Sequence, residues 1–151
     1  MATTYYFSGA TNSDWNTSTN WTPNGIPVSG DTAQFDNSSP NCSMSTNNAC
    51  TVLDFSQGTG YGAQLTINSG YSLTVYGDLT LPVSTTGMTF FGGGQLRVGG
   101  GILTTQTLTS GGTIVSGVVF TLAGSGTPVL ALADDWTVDS LYIGSGSFFY
   151  L

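Results

Sequence analysis

Short β-segments recur along the last two-thirds of this chain, each closed by a turn of Gly, Ser or Asn, and no stretch between them reads as a helix. Gln64–Ile67, Ser72–Tyr76, Asp78–Leu81, Thr89–Phe91, Gln95–Val98, Leu103–Leu108, Thr113–Val115, Val119–Leu122, Val129–Leu132 and Trp136–Ile143 are candidate strands. They are rich in Thr, Val, Leu and Ile and bounded by turn residues, as strands are. Two all-β architectures accommodate such a pattern: a coiled β-solenoid and a β-sandwich with Greek-key connections. Turn signals recur more often than the roughly 8–12 residues usual in sandwiches, which favours a short, right-handed parallel β-solenoid. Gly92-Gly93-Gly94, Gly99-Gly100-Gly101 and Gly111-Gly112 mark expected corners, where the backbone takes positive φ or approaches another strand closely. Gly77-Asp78-Leu79-Thr80-Leu81 and Asp134-Asp135-Trp136-Thr137-Val138 share an acidic-turn-then-strand form, and their spacing fits equivalent positions two coils apart.

Charge narrows the function classes. Only 6% of residues are charged, against roughly 25% in ordinary soluble domains. Arg97 is the one cation, every carboxylate is Asp, and the net charge is −7. A phosphate backbone or anionic membrane surface would therefore find no basic patch to bind. No run approaches the roughly 18 apolar residues of a spanning helix, so neither nucleic acid nor membrane is an expected partner. A surface of Thr, Ser, Asn and Gly, with little mixed charge to discourage association, suits permanent packing against copies of the same chain. At 39% hydrophobic the chain is not disordered. The N-terminus, Met1-Ala2-Thr3-Thr4-Tyr5-Tyr6-Phe7, lacks a basic segment followed by an apolar one, and the expectation is a protein made in a cytoplasm without general export.

The chain divides into an aromatic, Asn/Ser/Thr-rich segment, 1–53, and the alternating segment, 54–151. In the first, Trp15 and Trp21 stand six apart with Asn20 between, followed by the turn Pro23-Asn24-Gly25-Ile26-Pro27 and by Gly30-Asp31-Thr32-Ala33-Gln34-Phe35. Trp15, Trp21 and Phe35 are expected to cap the open end of a sheet stack, with Asn and Asp side chains bonding turn backbones. Together with Cys42 and Cys50-Thr51-Val52, and with Leu65-Thr66-Ile67 and the run from Leu73 to Leu81, this series resembles the segment that opens β-solenoids in bacteriophage fibres, spikes and head decorations and in autotransporter-like adhesins. The resemblance spans roughly the first 80 residues. It implies a structural cap with no catalytic residues to carry over, and association as a trimer with other virion proteins. Without an export signal, the phage particle is favoured over the exported adhesin.

Cys42 and Cys50 close a short loop. They are either a disulfide, in an oxidising setting, or two buried thiols acting as small hydrophobes. No further soft ligand exists to complete a metal site with them, and no cofactor is expected. The segment Phe148-Phe149-Tyr150-Leu151 has no polar cap and is the expected assembly interface. Asp134, Asp135 and Asp139 form the densest acidic group, the one feature that keeps a polysaccharide-degrading spike in consideration. Adjacent Asp134 and Asp135 look more like a turn, and without His, Lys or Glu the usual general bases are missing. The same Asp residues, or Asp31 with Asp36 and Asp54, are read as turn caps rather than calcium ligands. Exposed rings among Tyr5, Tyr6, Trp15, Trp21 and Trp136 would offer a face to a host surface glycan, although aromatics are commoner in cores. Sequons at Asn16, Asn20, Asn37 and Asn41 matter only in a glycosylating pathway. The expectation is a non-enzymatic virion structural protein, a capsid decoration, head fibre or tail fibre, working by self-assembly with host attachment as a second task. The alternative is a cell-surface adhesin or extracellular fibre subunit.

Overall fold

A computed structural model describes residues 1–99, 105–122 and 130–143. Gly100, Gly101, the beginning of the candidate strand Leu103–Leu108, Val129 and the whole of Phe148–Leu151 lie outside them.

The chain is a β-solenoid of about five turns. β1 (Thr4–Phe7) and β2 (Trp21–Thr22) precede the coils. The first coil is β3 (Thr32–Asp36), β4 (Cys42–Met44) and β5 (Asn48–Cys50); the second is β6 (Val52–Gln57), β7 (Gln64–Ile67) and β8 (Ser72–Val75). The third is β9 (Leu79–Thr80), β10 (Thr89–Phe91) and β11 (Gln95–Val98). β12 (Gln106–Thr109) and β13 (Val119–Leu122) belong to the fourth, β14 (Leu130–Leu132) and β15 (Leu141–Ile143) to the fifth. Corresponding strands of successive coils pair into three sheets, ordered β14-β12-β9-β6-β3-β1-β2, β10-β7-β4 and β15-β13-β11-β8-β5. On the second face a parallel bridge between Val115 and Val138 joins the last two coils. Among the named strand pairs only β1 with β2 is antiparallel, whereas Greek-key neighbours would be antiparallel throughout.

Alternation along each strand builds the core. Every second side chain points inward, and parallel register puts like upon like: Leu53, Leu79 and Leu108 stack on one face, Leu73, Leu96 and Phe120 on another. The five leucines are fully buried and Phe120 nearly so. Full burial of such a side chain stabilises by about 1.5–3 kcal/mol, and each coil closes over the one before it. The outward positions, Ala49, Thr74 and Arg97 for example, form columns of their own.

Several sequence readings change here. Parallel coiling starts at Thr32, inside the segment read as cap, and β1 already pairs parallel with β3. Strands are frequent before residue 53, where few were expected. Thr113–Val115 contributes one bridged residue, and Trp136–Ile143 reduces to its last three residues plus the bridge at Val138. The two acidic turns are not equivalent. Leu79 pairs with Leu108 and Leu108 with Leu132, so Asp78 precedes its strand position whereas Asp134 follows it.

Trp15, Trp21 and Phe35 come together in an aromatic cluster over the first coil. Trp21 packs edge-on to Trp15 with centroids 4.7 Å apart and to Phe7 at 5.0 Å, while Phe35 lies 5.1 Å from Phe7 and 4.8 Å from Phe55. Beside them Asn20 is fully buried, yet it satisfies its amide completely. Its Oδ1 accepts from the N–H groups of Thr11 and Asn12, and its Nδ2 donates to Asn12 Oδ1 and to the Asp14 carbonyl. A buried amide with all partners in place fixes a loop that has few ladder bonds of its own. Burial also removes the Asn20 sequon from any modifying enzyme acting on the folded chain.

Cys42 and Cys50 are free thiols, both fully buried, on adjacent faces of the first coil. Burial pushes both thiols well above their ordinary range, and the thiolate is the reactive form. A soluble thiol reagent should therefore modify the native protein at about one-hundredth of the unfolded rate or slower. Rapid native labelling of either cysteine would show that the first coil opens readily.

Candidate functional site

Among the described residues, the inward columns that are closed in the fourth coil have no further coil over them in the fifth. Leu108, Phe120 and Leu122 are 0%, 4% and 2% exposed, whereas their register partners Leu132, Leu141 and Ile143 are 42%, 48% and 46% exposed. These three residues sit at strand positions whose side chains would be core if another coil or another molecule covered them. Beside them opens a cavity of about 430 Å³, lined by Leu122, Leu132, Trp136, Val138 and Leu141 among others. Trp136 is stacked on Phe120 at 5.3 Å, and its indole N–H reaches the Leu108 carbonyl at 3.3 Å. The two ends of the described solenoid thus differ. One is covered by β1, β2 and the aromatic cluster; the other presents aliphatic side chains.

Of the three acidic residues at this end, Asp134 is occupied with the backbone. Asp134 accepts the N–H of Ser110 through Oδ1 and the N–H of Gly111 through Oδ2, both at 2.7 Å, and the Asp135 carbonyl accepts the Ser110 hydroxyl. This is a turn clamp between the fourth and fifth coils. Other Asp residues are used in the same way. Asp31 accepts from Thr3 and Val28, Asp78 from Thr107, and the Ser38 hydroxyl and backbone N–H bonds hold the Asp36 carboxyl below its usual range. Among the described residues no group of three or more His, Cys, Asp or Glu converges as metal ligands would.

The rings proposed for glycan contact are distributed unevenly. Trp15 and Trp21 are fully buried and present no face to a ligand. Tyr5 and Trp136 are half-buried against the core, and Tyr6 is 49% exposed on β1. No helix among the described residues is long and apolar enough to cross a membrane. No protein-family model matches the chain, and neither does any curated protein or solved structure. The functional reading therefore stands on this geometry and on the sequence motifs.

The expected interface, Phe148–Leu151, lies outside the described residues. Sequence reasoning assigned Leu132, Leu141 and Ile143 to strands but not to a surface. The signal that bears on them is positional: they belong to the last coil of the described stack, where inward-pointing residues have no following partner.

Proposed function

We propose that the protein is a non-enzymatic structural subunit of a bacteriophage particle, a capsid decoration, head fibre or tail fibre, that works by packing against copies of itself. The observation that carries this reading is the uncovered apolar end at Leu132, Leu141 and Ile143. Monomers seldom leave core-type columns in water, because clustered apolar area drives association. The covered end shapes what can form. β2 is two residues long and antiparallel to β1, which leaves a blunt edge that pairs poorly with another strand. Open ends can then meet one another, but head-to-tail growth is blocked, and a closed oligomer is favoured over an endless filament. The sequence resemblance supports a trimer among virion proteins, and the sparse charge suits a permanent assembly. A protein of this kind would be made in the host cytoplasm and reside in the virion.

Light scattering on the native protein tests the assembly step. A discrete oligomer is expected. The double substitution Leu141→Asp and Ile143→Asp should weaken association at least ~100-fold, since each buries a charge with no partner at the interface. Melting of the single chain should change little, because both side chains are already half in water. A wild-type monomer at high protein concentration, or a double variant that assembles as before, would refute the reading. Electron microscopy of the same sample separates a closed oligomer from the filaments of an extracellular fibre.

A further inference from the structure

Arg97, the only Lys or Arg in the sequence, stands on the outer face of β11, the central strand of its five-stranded sheet. Its column is Ala49, Thr74, Arg97, Thr121 and Tyr142, without a carboxylate. No ion pair or hydrogen bond among the described residues engages the guanidinium, and its Nε is buried with no acceptor. The side chain lines a concave, polar cavity of about 260 Å³ together with Asn47, Tyr71, Ser72 and Gln95. Two glycines of the 92–94 cluster, Gly93 and Gly94, also form its wall.

We propose that this groove binds the carboxylate of an acidic saccharide, with Arg97 as the anchor. An arginine whose donors meet no acceptor among the described residues is free to take one from a ligand: its planar fork matches a carboxylate in two parallel bonds, and such charge-assisted bonds are about twice as strong as neutral ones. Eight Asp residues are present, yet none lines the cavity. The net charge of −7 opposes the approach of a simple anion at long range. A ligand held here must gain from contacts beyond charge, and the remaining lining supplies them. Tyr71, 38% exposed, offers a ring to the apolar face of a pyranose. Asn47, Ser72 and Gln95 offer hydrogen bonds to hydroxyls, and the Asn47 amide is already oriented, because its Oδ1 accepts the Ser72 N–H at 2.9 Å and the Ser72 hydroxyl. This site is independent of the assembly reading, since it lies on the flank of the coils and not at their open end.

The full chain titrated calorimetrically with galacturonic acid, galactose and acetate decides the matter. Galacturonic acid should bind at least tenfold more tightly than galactose and than acetate. Arg97→Gln should lose at least tenfold in affinity for galacturonic acid while melting as the wild type does, and Arg97→Lys should fall between the two. Nuclear magnetic resonance shifts confined to the Arg97 and Tyr71 surroundings would place the ligand in the groove, and the Leu141→Asp, Ile143→Asp chain should bind as well as the wild type. Unchanged binding in Arg97→Gln, galactose matching galacturonic acid, or no binding of galacturonic acid at millimolar concentration would overturn the assignment of an acid group. Acetate matching galacturonic acid would overturn the assignment of a saccharide.

Discussion

Trp21→Ala should cost about 3–5 kcal/mol of unfolding free energy, the range for truncating a large buried aromatic. The indole is fully buried, and its N–H donates to the Trp15 carbonyl at 2.8 Å. It is packed edge-on against Trp15, Phe7 and Phe35. Removing it opens a cavity in a region that cannot collapse easily, because Asn20, the preceding residue, ties two backbone N–H groups into the same loop. Among the described residues the cap is also the only cover the first coil has on that side. In a stack where each coil touches only its neighbours, loss of an end unit propagates inward. Trp136→Ala at the other end should cost less, since that ring is half-buried with one stacked partner. Urea unfolding of both variants gives the comparison through the midpoint at unchanged slope. A Trp21→Ala loss below about 1 kcal/mol would show that the aromatic cluster is not what closes the solenoid.

Gly92→Ala should cost about 2–4 kcal/mol, combining backbone strain with overpacking. Gly92 has φ +104, and a Cβ there would lie 2.4 Å from the Ile67 carbonyl oxygen and 2.8 Å from its carbon, both main-chain atoms of the coil beneath. Neither can yield without disturbing the β7 corner, where Ile67 also accepts the Gly94 N–H at 2.8 Å. Its neighbour supplies the control. Gly93 has φ +69, but a Cβ there would meet nothing within 4 Å, so Gly93→Ala should lose only the left-handed backbone cost, about 1–2 kcal/mol. Equal losses at the two positions would mean that conformation alone, and not the close approach of successive coils, requires glycine at this corner.

Sequence reading located the middle coils well. Gln64–Ile67, Thr89–Phe91, Gln95–Val98 and Val119–Leu122 are strands with the bounds expected of them, because each holds β-forming residues between turn residues, and in Gln64–Ile67 and Gln95–Val98 an inward apolar residue alternates with an outward polar one. The early strands escaped notice for a physical reason. β4 and β5 are three residues each, and their inward residues are Cys42, Met44 and Cys50, which do not announce a strand as Val or Ile does. Register was misread at Asp134 because an Asp before a strand and an Asp clamping the next turn look alike in one dimension. Burial of Trp15 and Trp21 follows from contacts between residues far apart in the chain. Composition marked Arg97 as singular, but that no described residue pairs with it emerged only once its column was seen to contain no carboxylate.

The parallel ladders set how the molecule carries load. Hydrogen bonds between coils run along the solenoid axis, the direction in which β6 follows β3 and β9 follows β6. Axial tension therefore strains few of them at once and peels coils from an end in sequence, each release lengthening the chain while the rest stays wound. Axial compression meets close-packed columns of leucine and valine, whose interiors yield very little. A particle built from such subunits would be stiff when pressed and would give way by degrees when pulled.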